Sequence, residues 1–170
     1  MKQRQKPAEI TGRYQATGKG YGFLIPEGGG EDLFLPPRAE GGAWHNDLVA
    51  ALPDTQSPGG ARRTAAVTRI LERGNPRVTG VVLRQGREVW LAPDSDRLPS
   101  RIRVVGRRAG LRGGDRAALA MTSYGGGKSG MPMGVLDEVF GRADSRDSAA
   151  AAILYNYGIH PEFPPEVLAT

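Results

Sequence analysis

The chain has no cysteine and only 2 histidines among its 170 residues. Disulfides, thiol catalysis and thiolate metal sites are therefore excluded, and a zinc centre lacks ligands. No run of about 18 apolar residues occurs, so no segment is expected to span a membrane. The first seven residues, Met1, Lys2, Gln3, Arg4, Gln5, Lys6 and Pro7, are basic but lead into no apolar stretch. No secretory signal is expected, and the cytoplasm is the expected compartment. Glycine and proline, by contrast, are plentiful, at 25 and 13 residues. That density of breakers argues against bundles and coiled coils and for short strands joined by turns. With 39% hydrophobic residues and a mean hydropathy of −0.40, the chain can build small cores and is not expected to be wholly disordered.

The net charge is +5, and it is uneven. Residues 1–73 hold 10 Lys/Arg against 8 Asp/Glu, residues 74–143 hold 12 against 6, and residues 144–170 hold 1 against 4. The basic part is the middle of the chain, and the end is acidic. A basic excess points to an anionic partner.

Breakers divide the first half into five strands, at 11–17, 21–25, 32–35, 47–51 and 64–71, with a Pro-, Ser- and Gly-rich loop at 53–61. Asn75-Pro76 interrupts the pattern, and then the plan repeats. Strands are predicted at 78–84, 88–92, 102–105, 116–121 and 135–140. Gly113-Gly114-Asp115 leads into the fourth strand of the second set, as Trp44-His45-Asn46-Asp47 does in the first. Five strands at this spacing suggest a small barrel, and the repeat suggests two in tandem. The end is helical in pattern. Asp144 or Ser145 can cap a helix, Ala150, Ile153, Leu154 and Tyr157 fall on one face, and Gly158 suits its end. Pro164-Pro165 then looks like the start of a second helix.

The most informative segment is Lys19-Gly20-Tyr21-Gly22-Phe23-Leu24-Ile25-Pro26 with Asp32-Leu33-Phe34-Leu35. Strand alternation puts Tyr21, Phe23 and Ile25 on one face and Leu24 on the other. If Leu33 and Leu35 face the core, Phe34 faces out beside Tyr21 and Phe23. Bases can stack on such rings while Lys19 and Arg13 hold phosphates. Tyr14, on the neighbouring strand, is expected to extend the platform. A lone strand Phe usually fills a core, but interleaved glycines and alternation with aliphatics favour the exposed arrangement here.

Lys19 to Pro26 with Asp32 to Leu35 resembles the paired RNA-binding motifs of cold-shock domains. Glu31-Asp32-Leu33-Phe34-Leu35-Pro36-Pro37, Arg69-Ile70-Leu71-Glu72-Arg73 and the segment from Tyr157-Gly158-Ile159-His160 to Val167-Leu168 extend the likeness. Together they resemble the N-terminal part of a bacterial ribonuclease R or ribonuclease II exoribonuclease. The resemblance implies a mainly β chain: a basic tail (1–10), a first OB-fold cold-shock barrel (11–74), a second, degenerate one (75–143), and a short helical tail (144–170) that opens a catalytic RNB domain. It also implies single-stranded RNA as partner, with no membrane and no small-molecule cofactor. The family hydrolyses RNA from the 3′ end with magnesium held by an aspartate cluster, and that cluster lies beyond the matched residues. No catalytic or metal-ligating residue is therefore expected in this chain.

The second unit departs from the motif. Glu88 and Trp90 stand where two aromatics would be, and Arg103 stands where Phe34 does in the first unit. Trp90 is the one stacking candidate left, with a buried Trp90 as the competing expectation. Arg101 and Arg103, with Arg107, Arg108 and Arg112 nearby, suggest contacts to the RNA backbone rather than to bases; a merely solvated basic face is the alternative.

Two other signals are set aside. Gly125-Gly126-Gly127-Lys128-Ser129 lacks the leading Gly of a phosphate-binding loop, since Thr122 occupies that place. His45 and His160 have no nucleophile or carboxylate at useful spacing and are not read as catalytic bases. The functional expectation is an RNA-guiding module of an exoribonuclease. A free-standing RNA chaperone and a protein-interaction module remain as alternatives.

Overall fold

Glycines, prolines and acidic residues punctuate the chain into ten strands and one helix among the described residues. The structure, a computed structural model, describes residues 8–54, 63–125 and 130–159. Most of the expected 53–61 loop, four of the five residues in the Gly125 to Ser129 segment, the start of the basic tail and the second helix after Pro164 lie outside them. The chain divides into two compact units. One holds residues up to Pro76 with Ser95–Ser100 and Tyr124–Met131; the other holds Arg77–Asp94, Arg101–Ser123 and Pro132–Thr170.

In the first unit, β1 (Ile10–Ala16), β2 (Gly22–Pro26), β3 (Leu33–Leu35), β4 (Leu48–Pro53) and β5 (Ala65–Glu72) form one sheet in the order β3-β2-β1-β4-β5. A parallel bridge between Phe34 and Thr64 joins its edges, with the Phe34 N–H donating to the Arg63 carbonyl at 2.8 Å. The core is Tyr14, Leu24, Leu33, Leu35, Val49, Ala51 and Ala65. In the second unit, β6 (Arg77–Gln85), β7 (Glu88–Pro93), β8 (Ile102–Val105), β9 (Asp115–Tyr124) and β10 (Pro132–Arg142) close as β10-β8-β7-β6-β9. The strand order is the same in both: third, second, first, fourth, fifth. This is the five-stranded Greek-key barrel of the OB fold, as the sequence predicted.

The repeat extends to details. Gly12 pairs with Pro26, and Gly80 with Pro93, at the same place in the two first strands. A Cβ at Gly12 would strike the Ile25 carbonyl oxygen, and one at Gly80 that of Ala92. Where each fourth strand begins, an aspartate closes a turn. Asp47 Oδ2 accepts the Trp44 N–H at 2.8 Å, and Asp115 Oδ2 accepts the Arg112 N–H at 2.9 Å. Each aspartate also pairs with an arginine at the end of its unit's fifth strand, Arg73 at 2.9 Å and Arg142 at 3.1 Å. The charge following each last strand is therefore a clasp between the strand's end and a turn.

The helix α1 (Arg146–Asn156) has Ser145 at its N-cap position. Gly158, at φ +72°, sends its N–H to Tyr155 O while Ile159 N–H reaches Leu154 O. That is a Schellman end, the role expected of Gly158. The expected apolar face is corrected. Ser148, Ala152 and Tyr155 are the buried positions, whereas Ile153 and Tyr157 are 57% and 78% exposed. Four consecutive alanines leave helical periodicity nearly flat, so tertiary contacts set the rotation. The Ser148 hydroxyl donates to the Arg142 carbonyl, the Tyr155 ring meets Phe140 edge-on at 5.4 Å, and the Tyr155 hydroxyl donates to Asp137. Burial, then Asp137, push the Tyr155 hydroxyl pKa well above its usual value.

Candidate nucleic-acid interface

In β2 the register decides which side chains reach solvent. Leu24 opposes Leu33 and Gly22 opposes Leu35, both inward, while Phe23 opposes Phe34 on the outer face. Tyr21 precedes the strand and shares that face. The three rings are half-buried against one another, with centroids 6.0 Å apart for Tyr21–Phe23, 5.6 Å for Tyr21–Phe34 and 5.8 Å for Phe23–Phe34. Tyr21 and Phe23 meet at 87°, the edge-on geometry that ring quadrupoles favour, and the other two pairs are tilted at 46° and 60°. The expected aromatic cluster is thus assembled on one outer sheet face.

Tyr14 does not extend it. It pairs with Leu24, is 5% exposed and lies in the core. The reason is register: a one-residue offset along β1 exchanges faces. Gly22 is the complement of that ring. A Cβ there would stand 2.5 Å from Tyr14 Cε2 and 2.6 Å from the Gln15 carbonyl oxygen. Gly22→Ala is accordingly expected to destabilise the first barrel by about 1–3 kcal/mol, the usual cost of overpacking. Urea unfolding measures it, and an unchanged midpoint would contradict this packing. The β1 residue beside Phe23 is Gln15, which the sequence reading did not single out. Its amide donates to Asn46 Oδ1 at 3.1 Å.

Lys19 is exposed in the turn before Tyr21. Gly18 and Gly20 hold that turn at φ +80° and +91°, and Thr17 Oγ1 bonds the Tyr21 carbonyl at 2.8 Å. The turn thereby fixes the backbone of Lys19 two residues ahead of the first ring. Arg13 opposes Ile25 on the outer face, and its guanidinium donates to the Asn46 carbonyl at 3.1 Å.

The second barrel repeats the row with other chemistry. Leu83, Trp90 and Arg103 stand in register where Gln15, Phe23 and Phe34 stand in the first. Trp90 is 4% exposed, so the open stacking surface expected of it is absent. The Arg101 guanidinium lies 4.4 Å above its ring and that of Arg103 6.0 Å away. Arg103 in turn faces Glu88 at 3.6 Å. A guanidinium stacked on indole keeps its edge N–H groups for anions while it covers the ring. Arg101→Ala is expected to make Trp90 emission red-shifted and more accessible to acrylamide; unchanged quenching would mean that Arg101 does not cover it.

Among the described residues no three His, Asp or Glu side chains group to hold a metal, and no helix is long and apolar enough to cross a membrane. The fold and this face define a tandem OB-fold protein of the cold-shock type. The model of the Ribonuclease B OB domain family matches residues 12–70, and that of the Cold shock domain family matches residues 90–164, through α1. By sequence the chain is similar to ribonuclease R proteins along most of its length. It is 34% identical to ribonuclease R of Acidithiobacillus ferrooxidans over 163 residues, which cover 94% of this chain and 37% of that protein. It is 24% identical to ribonuclease R of Aquifex aeolicus (strain VF5), covering 99% of this chain and 25% of the other. The chain thus spans little more than a third of the curated relatives at most. Among solved structures, RNase R of Mycoplasma genitalium in complex with ribose methylated single-stranded RNA superposes with a TM-score of 0.76 at 20% identity. That match covers 93% of this chain and 26% of the other. Yeast Ssd1, a pseudonuclease, superposes at 0.71 with 13% identity over 89% of this chain and 25% of the other. The two structures share the fold.

Proposed function

We propose that the chain binds single-stranded RNA and guides it, as the N-terminal part of a 3′-to-5′ exoribonuclease. The observation that carries the reading is the cluster of Tyr21, Phe23 and Phe34 on one outer face of an OB barrel, with Lys19 exposed in the turn that leads into Tyr21. Unpaired bases have accessible π-faces for those rings, whereas bases stacked in a duplex do not. The second barrel contributes through charge, with Arg101 and Arg103 as phosphate contacts and the Trp90 ring beneath Arg101 as a support.

Hydrolysis is not assigned to this chain. Two-metal cleavage needs several carboxylates converging on one pocket, and no three potential ligand side chains group among the described residues. Purified chain with magnesium is expected to leave a labelled RNA intact.

The reading is tested by anisotropy with a short labelled oligonucleotide. Binding is expected to favour single strands over duplex and to weaken linearly in log–log plots against salt, with a slope of about −0.7 per phosphate neutralised. Equal affinity for duplex would remove the proposal in favour of binding by charge alone, and no binding at low salt would remove it in favour of a protein-interaction role.

A further inference from the structure

His45 has no catalytic partner in the sequence, but the first unit gives it a defined protonation. Its Nδ1 accepts the Ala16 backbone N–H at 3.2 Å. That bond assigns the proton of the neutral ring to Nε2. Nε2 lies 3.5 Å from Nη1 of Arg97. Two N–H donors therefore face the same space, and neither can accept from the other. Burial, then the charge of Arg97, hold the imidazole pKa below its usual value, so the ring is a neutral donor at pH 7. A donor pair of this kind is satisfied by a shared oxygen acceptor, and an anionic phosphate oxygen makes the stronger bonds.

The pair lies on the wall of a cavity of about 400 Å³. That is within the range of small-ligand sites, which starts at roughly 300 Å³. Tyr21, the platform ring, lines it too. So do Trp44 and Tyr124, which pack edge-on at 4.9 Å, with Arg73 4.2 Å above Tyr124. The wall is thus held by its own contacts. Glycine brings the turn of Lys19 close: a Cβ at Gly18 would lie 2.9 Å from the Asp96 carbonyl oxygen. Glu40 and Asp96 supply the cavity's negative charges.

We propose that this cavity is a second nucleotide subsite, in which His45 and Arg97 clamp one backbone phosphate of an RNA strand that continues past Tyr21. The inference rests on the reading of the first barrel as an RNA-binding face. The clamp takes one phosphate, because Glu40 and Asp96 repel a second, and their oxygens can accept from a ribose hydroxyl or a base N–H.

The test uses the whole chain, ¹⁵N-labelled, with labelled oligouridylates of 3 to 12 nucleotides. The His45 Nε2 resonance is expected to shift on RNA addition and not with equimolar inorganic phosphate. Arg97→Ala is expected to flatten the salt dependence by about 0.7 in slope, and Arg97→Lys to restore it in part. Arg97 lies on an exposed loop, so these variants are expected to fold. If the slope and the His45 resonance do not respond while Phe23→Ala/Phe34→Ala loses binding, the subsite is wrong and the platform stands. If that double variant binds as the parent does, the platform reading fails and the inference fails with it. A His45 shift as large with inorganic phosphate as with RNA would make this a free-anion site and overturn the strand assignment.

Discussion

Replacing Tyr21, Phe23 and Phe34 together by alanine is expected to weaken single-stranded RNA binding at least about 100-fold. Each base–ring stack is worth about 1–3 kcal/mol, and 1.4 kcal/mol is a factor of ten in affinity. Three stacks at the low end already sum to about 3 kcal/mol. The rings lean on each other, so single losses are not additive, and each single variant is expected to fall several-fold or more. Removal of one arginine from the second barrel is expected to cost less, because an exposed phosphate contact is screened by salt. The barrel itself is expected to survive the triple change. Its core of Tyr14, Leu24, Leu33, Leu35 and Val49 lies on the inner face of the same sheet. Anisotropy with an oligonucleotide gives the affinity, and far-ultraviolet circular dichroism with thermal unfolding confirms the fold. A folded triple variant that binds like the parent would rule out the platform.

The second large effect is on stability. Asp47→Ala is expected to destabilise the first barrel by about 3–5 kcal/mol, the cost of breaking a buried ion pair from one side. Asp47 is fully buried. Its oxygens accept from the Trp44 and Gly74 backbone N–H groups, both at 2.8 Å, and from Arg73 at 2.9 Å. Alanine would leave the two backbone donors without their acceptor in a region that water does not reach freely, and it would strip a mostly covered guanidinium of its carboxylate, leaving it the Gly42 carbonyl and the Tyr124 ring. The equivalent change in the second barrel, Asp115→Ala, is expected to cost less. Its partner Arg142 has a side chain 54% exposed, against 26% for Arg73, so water can replace the lost carboxylate. Urea unfolding of the two variants checks the order. Equal destabilisation would mean that burial does not set the difference between the two clasps.

Much of this was legible from residue order. Strands ended where Pro26, Pro36 and Asn75-Pro76 stood, because proline removes a ladder donor and Gly–Pro clusters favour turns. The outward set Tyr21, Phe23 and Phe34 was legible because alternation is a property of one strand and its immediate hairpin partner. The duplication was visible as two strand sets, although the aspartate–arginine clasps that make it structural were not. The helix end at Gly158 followed from local backbone chemistry alone, whereas Ser145 takes the N-cap position without a side-chain capping bond.

By itself, then, the sequence determined the strand count, the repeat, the aromatic face and the glycine end of the helix. The tertiary structure decided what depends on distant residues meeting. Tyr14 turned inward because its face follows from pairing with Leu24. Trp90 closed under Arg101 and Arg103 because β7 and β8 bring those side chains together across the sheet. Helix α1 was rotated by Phe140, Asp137 and the Arg142 carbonyl, which residue periodicity does not contain. His45 met Arg97 across 52 positions. The physical reason is common to all four. Side-chain alternation and turn formation are set by neighbouring φ and ψ angles, whereas burial and charge pairing are set by register and by chain closure, which no local pattern encodes.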